Sequence, residues 1–533
     1  QGLPTGVVPK GERDNAWDSV RAYFEELSQG DVINERVKII LVGNGRVGKT
    51  SLLRRLRDEL FNKKEPYTHG IGLDKHLNKG NLPLVHTTGL QAQVWDFGGQ
   101  EIFYATHQFF LSEDALYIFA WTNEENVRPH RERDAASLPN DKFQPNEYWL
   151  ENIRHRGGPK CPILMVQTHY EAIESPCNEE DYWKNYGAKC LKFDARTDYE
   201  LPQLKKWITQ KLNTEIPFFG GKVPKSYDRC ISEVEKLRSK YPSILKSEFE
   251  AKVCQVAGVL PGNETEALQY LHRTGAVVWF SDVEQLKDRV FTDPNWLTQQ
   301  VYQLINNELE SKGGRFGAEY LKKHLPKFKE EERKQFVELL KTFGLLFETL
   351  EENEVVYIAP NYLPEALSPD AQKLLRSHEA ALRPAFQFSF PKFMPDNVMV
   401  NFLSRYGPYS NELYWKNGIF FTDETGQRAL VKLTGRSLEV FAEPGEQSHD
   451  LQVQICQAFV ELSGNANAEL TVNGRTIIWQ VLEKAQDQGA VDTVDRSGDS
   501  VKVAHFTPLN LSLIHISEPT RLRRISYAVF CLK

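Results

Sequence analysis

At 533 residues the chain is too long for one hydrophobic core, since single cores stop growing near ~250–300 residues, so roughly two to four domains are expected. Hydrophobic residues make up 41% and charged residues 26%, an ordinary globular balance, and a net charge of −7 excludes a global basic field for nucleic acid or a membrane surface. The 7 cysteines are scattered without a CxxC pair, which reads as reduced, cytoplasmic thiols and not as a disulfide framework or a zinc site. Apolar runs such as Ala115–Trp121 are strand-length, far short of the ~20 residues a membrane helix needs, so no transmembrane segment is expected. The polar, Gly- and Pro-containing Gln1–Asp14 lacks the apolar stretch of a signal peptide.

In chain order, Trp17–Leu27 is amphipathic, with Val20, Tyr23, Phe24 and Leu27 on one helical face. Val37–Val42 is apolar except at Lys38, as a parallel strand buried on both faces would be, and a helix is expected over Lys49–Leu60. Further strands are expected at Leu90–Trp95, Ala115–Trp121, Ile163–Gln167 and Cys190–Phe193. Helical stretches near Tyr104–Phe110, Asn146–Arg154 and Leu201–Leu212 alternate with them, the pattern of a doubly wound parallel α/β domain. Ile216–Lys225 reads as a linker. Helical periodicity then dominates in Tyr227–Ser239, Lys246–Ala257, Glu264–Thr274, Trp296–Asn307 and Arg333–Phe343, with short strands at Ala276–Phe280 and Val355–Ala359. From Phe386 strands take over, at Gln387–Phe390, Leu413–Trp415, Gly418–Thr422, Ala429–Thr434, Ser437–Ala442 and Ala468–Val472, with a helix near Asp450–Ser463. Leu511–Lys533 continues no earlier pattern and reads as a foreign or disordered tail. No period of ~20–50 residues repeats, so the chain is not itself a solenoid.

Chemistry is concentrated in the first half. Gly43-Asn44-Gly45-Arg46-Val47-Gly48-Lys49-Thr50 fits G-x-x-x-x-G-K-S/T, the phosphate-binding P-loop, and it lies between a buried strand and a helix as that motif demands. Its glycines let successive backbone N–H groups turn toward phosphate oxygens, and the helix dipole adds positive potential. Lys49 would bridge the β- and γ-phosphates, the Thr50 hydroxyl would ligate Mg²⁺, and Ser51 follows at the helix start. Trp95-Asp96-Phe97-Gly98-Gly99-Gln100-Glu101 ends a strand with D-x-x-G and Gln-Glu, as in Ras-like GTPases. There Asp96 would hold Mg²⁺ through water, Gly99 N–H would sense the γ-phosphate, and Gln100 would orient the attacking water. Asp96-Phe97-Gly98 also spells the kinase DFG, but no H-R-D loop or V-A-I-K strand precedes it.

Thr68, in Tyr67-Thr68-His69-Gly70-Ile71, is the candidate for the metal-binding threonine of a mobile loop, against a plain polar loop residue. Base recognition falls to Thr168-His169-Tyr170-Glu171 after a strand. Glu171 would accept from guanine N1–H and the exocyclic amine, and Thr168 with His169 would replace the Asn and Lys of N-K-x-D. Asp194-Ala195-Arg196 would back the base, with Ala195 at the loop centre. On the residues alone guanine is favoured over adenine without excluding it. Arg46 is a further candidate, either a solvated loop cation or a residue at a boundary with a partner copy or the companion domain that affects catalysis.

Together these motifs resemble the Roco family, in which a Roc GTPase domain precedes a COR domain, and the resemblance covers roughly residues 17–510. Trp95–Glu101 followed by His107-Gln108-Phe109-Phe110-Leu111 is similar to a Roc switch II, and T-H-x-D/E is a base motif of Roc domains, including those of leucine-rich repeat kinases. Leu271-His272-Arg273-Thr274-Gly275-Ala276, Asp293-Pro294-Asn295-Trp296-Leu297, Phe343-Gly344-Leu345-Leu346 and Tyr414-Trp415-Lys416-Asn417-Gly418 resemble COR signatures. Glu171 stands where Asp is commoner, and Asp194-Ala195-Arg196 departs from S-A-K.

The resemblance implies a Ras-like P-loop doubly wound domain, then a COR domain with an α-rich, winged-helix-like subdomain and an α+β subdomain. The expected divisions are 1–34 (connector), 35–213 (Roc), 214–225 (linker), 226–375 and 376–510 (COR) and 511–533 (tail). It also implies GTP/GDP and Mg²⁺ as ligands, slow hydrolysis, a homodimer through COR packed against the Roc switch regions, and leucine-rich repeats upstream. Two rivals stay open: a nucleotide-dependent interaction module with negligible hydrolysis, and an ATP-dependent P-loop enzyme. Gln100 argues against the first, and the lack of a further catalytic carboxylate near the metal argues against the second. A winged-helix reading of residues 246–300 as DNA-binding lacks a Lys/Arg-rich recognition helix, so no nucleic-acid partner is expected.

Overall fold

The computed structural model describes residues 13–506, apart from 66–70, 79–80, 83–89, 98–110, 112–114, 129–142, 171–178 and gaps of four residues or fewer beyond residue 150. The expected helix at Tyr104–Phe110 and the tail Leu511–Lys533 lie outside the described residues. The chain forms two compact units, one of residues up to Ile305 with Lys327–Leu339, the other of Asn306–Pro326 with residues from Leu340 on.

The first unit contains a six-stranded sheet in the order β3-β4-β2-β5-β6-β7, from β2 (Arg36–Val42), β3 (Ile71–Asn78), β4 (Gln91–Phe97), β5 (Ala115–Trp121), β6 (Ile163–Gln167) and β7 (Lys189–Lys192). All pairings are parallel except β3 with β4. The central position of β2 explains its apolar run, since both faces are covered. Its one charged interior residue, Lys38, is buried and lays Nζ 4.1 Å from the centre of the Trp95 ring. Helices around the sheet include α2 (Lys49–Leu56), α3 (Asn146–Gly157), α4 (Glu179–Tyr186) and α5 (Leu201–Glu215).

The same unit holds the start of the second half of the chain. Within the segment read as a linker, β8 (Lys222–Pro224) pairs antiparallel with β1 (Asp31–Ile33), joining the entry and the exit of the nucleotide domain. Helix α1 (Arg13–Ser28) packs Tyr23 into a core with Tyr227, Cys230 and Val234 of α6 (Lys225–Arg238). Buried Glu26 of α1 accepts a 2.7 Å hydrogen bond from the Ser226 hydroxyl. Next come β9 (Ser243–Leu245), α7 (Lys246–Ala257, continuous through a π turn at Glu250–Cys254) and α8 (Glu264–Arg273). They are followed by β10 (Val278–Trp279), β11 (Arg289–Phe291), α9 (Pro294–Leu304) and most of α10 (Glu330–Thr342). The strands form a small sheet in the order β10-β11-β9, and Asp293 caps α9 by accepting from the N–H groups of Asn295 and Trp296.

In the second unit, β12 (Arg315–Phe316), β13 (Phe347–Glu351) and β14 (Glu354–Ile358) make a three-stranded sheet. A seven-stranded antiparallel sheet follows, in the order β16-β17-β18-β19-β15-β20-β21. Its strands are β15 (Arg383–Ser389), β16 (Tyr414–Trp415), β17 (Gly418–Thr422), β18 (Arg428–Thr434), β19 (Ser437–Ala442), β20 (Glu469–Val472) and β21 (Arg475–Ile478). Ile419, Phe421, Ala429 and Val431 point into one core with α12 (Asn397–Tyr406), α13 (His449–Ser463) and α14 (Trp479–Asp487). Alternate residues Phe420 and Leu430 pack on the other face against Leu375 of α11 (Pro369–Glu379), so both faces of these strands are apolar. Among the described residues no helix is long and apolar enough to cross a membrane.

Candidate functional site

The loop Gly43–Gly48 joins the end of β2 to α2. Gly43 has φ +141°, and a Cβ there would sit 2.1 Å from the Ala120 carbonyl oxygen of β5, so the loop leaves the sheet where only glycine fits. Arg46 at φ 66° and Gly48 at φ +89° complete the curl. Lys49, 6% exposed, folds back and donates from Nζ to the carbonyls of Gly43 and Asn44, each at 2.7 Å. The Asn44 amide donates to the Gln144 carbonyl at 2.7 Å and its Oδ1 accepts from Gln144 N–H at 2.8 Å, which pins the loop to the entrance of α3. Arg46 is half-buried and reaches the Glu65 carbonyl at 3.5 Å, within the nucleotide domain.

Thr50, in the first turn of α2, meets Asp96, near the end of β4. The Thr50 hydroxyl donates to Asp96 Oδ2 at 2.8 Å, and Asp96 is fully buried. A hard cation beside phosphate is held by such oxygen donors, so this pair fits Mg²⁺.

The base motif is tied to the phosphate loop. The buried Thr168 hydroxyl donates to the Val47 carbonyl, with the Trp121 carbonyl 3.1 Å away, so this side chain bridges β5 and the phosphate loop. His169, at φ 54°, places Cε1 3.4 Å from where a Gly48 Cβ would lie. Ala195 lies in a loop closed by buried Asp194, which accepts from Arg196 N–H at 2.9 Å and from its guanidinium at 2.7 Å. Tyr170 N–H donates to the Phe193 carbonyl, and Phe193 N–H to that of Gln167, which holds the two base loops side by side. Thr68, Gly99, Gln100 and Glu171 lie outside the described residues.

The family model "Ras of Complex, Roc, domain of DAPkinase" matches residues 38–171, and "C-terminal of Roc, COR-A domain" matches residues 224–363. A Roc-COR-CHAT protease of Runella zeae is 26% identical over 475 residues, covering 85% of this chain and 49% of that protein. The solved structure of Methanosarcina barkeri Roco2 RocCORdC bound to GDP matches at 28% identity with a TM-score of 0.50, over 63% of this chain and 98% of that one. The chain is a Roco-family protein, with Roc followed by COR. A probable serine/threonine-protein kinase, pats1 of Dictyostelium discoideum, is 25% identical over 75% of this Roco chain and 13% of its own length. The chain thus spans about half the length of the Runella relative and less of the kinase. Its Roc part is a Ras-like GTPase domain.

Several residues that shape this Roco site carry no motif. Gln144 fixes Asn44 from a position 100 residues away. Arg55 of α2 forks onto the Asp198 carboxylate beyond the Ala195 loop, which clamps the helix of the phosphate loop to the base loops. Tyr170 stacks on Tyr199 at 4.6 Å, with Lys192 Nζ 5.0 Å from its ring centre. The one signal in the sequence was the aromatic inside the T-H-x-D/E motif.

Proposed function

We propose that this Roco chain is a guanine-nucleotide switch that binds GTP and GDP with Mg²⁺, hydrolyses GTP slowly, and works in the cytoplasm as a homodimer through COR. The observation that carries the reading is the Thr50 hydroxyl 2.8 Å from buried Asp96, beside Lys49 folded into the P-loop. Thr50 and Asp96, with Thr68 from the neighbouring loop, would hold Mg²⁺, which supplies neutralising charge to the phosphates. Lys49 would turn from the Gly43 and Asn44 carbonyls to the β- and γ-phosphates, and the loop N–H groups of Gly43–Ser51 would line them. Gly99 would sense the γ-phosphate and Gln100 would orient water for in-line attack. Thr168, His169 and Glu171, backed by Ala195, would read guanine; the GDP in the Methanosarcina structure supports that base.

The domain division 35–213, 226–375 and 376–510 belongs to the same proposal, as do upstream leucine-rich repeats in a longer protein. The test is single-turnover hydrolysis of GTP by parent and Gln100→Leu, with light scattering in GDP, in a GTP analogue and without nucleotide. Gln100→Leu should slow hydrolysis about tenfold or more, about 1.4 kcal/mol at the barrier, at unchanged GDP affinity. Equal rates would remove Gln100 from catalysis, and a monomer in all three nucleotide states would remove the COR dimer.

A further inference from the structure

A second pocket, of about 290 Å³, lies in the winged part of the first unit, between β9 and β11 on one side and α9 and the first turns of α10 on the other. Its walls are aromatic: Tyr241 and Trp296 contribute, and Trp296 stacks on Phe328 at 5.2 Å with the planes 15° apart, giving one flat face. An aromatic crevice between a small sheet and two helices normally closes on itself, because interiors pack to the density of organic crystals. This one stays open around polar groups.

Arg289 lines it from β11. Its Nη1 donates to the Ser243 hydroxyl at 2.9 Å, and among the described residues no carboxylate lies within 4.0 Å of it. Burial pushes its guanidinium below its ordinary value, opposed by the fields of Glu332 and Glu248. Lys240 and Lys327 stand with it on the lining, so three cations face the single carboxylate of Glu332. Gln335, one turn further along α10, has a buried Oε1 with no hydrogen-bond partner. A half-buried guanidinium that makes no close ion pair among the described residues and a buried carbonyl without a donor thus line one cavity, and the second is costly.

We propose that this pocket binds a small planar aromatic carboxylate carrying a ring N–H, with its carboxylate on Arg289 and its N–H donated to Gln335. Guanidinium and carboxylate match as a two-bond fork, the flat ring meets the Trp296 face, and the N–H supplies the donor Gln335 lacks. The volume lies at the lower edge of small-molecule sites and suits a fused two-ring acid better than a nucleotide.

The test uses the full chain in excess GDP and Mg²⁺, so that the phosphate loop is filled, and calorimetric titration with indole-2-carboxylate. The expected dissociation constant is on the order of 0.1–2 mM for a ligand of this size. Benzofuran-2-carboxylate, which replaces the N–H by an ether oxygen, should bind about tenfold more weakly, and the cation tryptamine weaker still. Arg289→Met should weaken indole-2-carboxylate at least about tenfold. Gln335→Leu should erase the difference between the indole and the benzofuran acid. Because it removes a buried oxygen that has no partner, Gln335→Leu should melt no lower than the parent, which keeps the test valid if Arg289→Met folds poorly. Glu332→Gln should tighten the acid a few-fold by removing the one carboxylate on the pocket lining. Absence of heat up to several millimolar, equal binding of tryptamine, or an unchanged indole-to-benzofuran ratio in Gln335→Leu would each overturn the proposal.

Discussion

Gly43→Ala is the sharpest perturbation of the phosphate loop. The new methyl would stand 2.1 Å from the Ala120 carbonyl oxygen and 3.4 Å from Val47 Cγ2. Ala120 cannot retreat, because β5 is paired on both sides, to β2 and to β6. The carbonyl is backbone, so no rotamer change relieves the contact, and the loop itself must give way. An alanine held near φ +141° costs about 1–3 kcal/mol in backbone strain, and forcing a methyl into a filled site costs a further ~1–3 kcal/mol. The total is about 2–6 kcal/mol, and it can appear in two places.

If the loop relaxes without nucleotide, the penalty returns when the phosphates must be cradled, and GDP affinity falls by roughly 30-fold to 10⁴-fold. If the loop stays strained, affinity is spared and the first thermal transition drops by about 2–4 °C per kcal/mol. The assays are equilibrium titration with a fluorescent GDP and a thermal scan of the nucleotide-free chain. A variant within about twofold of the parent in affinity and within about 1 °C in the melt would refute the close approach of Gly43 to β5.

Thr168→Val should raise the GDP dissociation constant by roughly 5- to 150-fold, because the Val47 carbonyl loses a buried donor worth about 1–3 kcal/mol; Thr168→Ser should stay near the parent, and equal values for Ser and Val would discount the hydroxyl. Asp96→Asn keeps the shape but removes the charge beside Thr50, so the ratio of GDP affinities in Mg²⁺ and in EDTA should fall toward one, and a parent-like ratio would place the cation elsewhere. In the second unit, hydrogen bonds from Arg428 hold the Glu443 carboxyl below the usual carboxylate range. A depressed carboxyl adds stability that is present above its unfolded pKa and lost as pH falls through the folded one, so Glu443→Gln should flatten the acid limb below about pH 4.5 by ~0.2–1 kcal/mol at this part-exposed pair. An acid denaturation curve parallel to the parent's would show that the pair contributes nothing.

What the sequence made legible were the parts specified locally. β2, β5 and β6 announce themselves by continuous apolar runs because both faces are covered, and the P-loop by glycines that its curl requires. The turn between Trp415 and Gly418 likewise emerged as the hairpin β16–β17. What it hid were elements made by distant partners. Ile71–Asn78 has no clean alternation, and it is a strand because β4 offers it an antiparallel edge. Lys222–Pro224 is three residues inside a Gly- and Pro-containing stretch, and pairing with Asp31–Ile33 decides its state. Asn397–Tyr406 carries Val398, Met399, Phe402 and Leu403 in a window too short to separate helix from strand by period. In the site, motif residues were visible, while Gln144, Asp198 and Tyr199 were not, since each acts by holding another residue and no spacing rule marks that role.

The way the site is held bears on how a switch could report from it. Gly43 is seated on β5, Asn44 on Gln144, Val47 on Thr168, and α2 on Asp198, so the phosphate and base loops form one braced frame. A braced frame pays little ordering cost on binding, and it has little freedom to signal which nucleotide it holds. On the proposed reading the response to a γ-phosphate would fall to the segments that carry Thr68, before β3 in the sequence, and Gly99 and Gln100, after β4. Those two strands pair with a register shift between Gly72 and Lys75, at the free edge of the sheet. Helix α9 lies against β3, and Gly275, at φ +80°, comes so close to β4 that a Cβ would stand 2.7 Å from Gln93 Oε1 and 3.2 Å from Trp95 Nε1. Gly275 thus meets β4 through two of its side chains, the flexible end of Gln93 and the Trp95 ring, so a movement of β4 would reach the turn after α8 mainly through Trp95. On the proposed reading the braced half of the site would select the ligand, and the irregular edge, in contact with α9 and with the turn after α8, would be where a change of phosphate is felt.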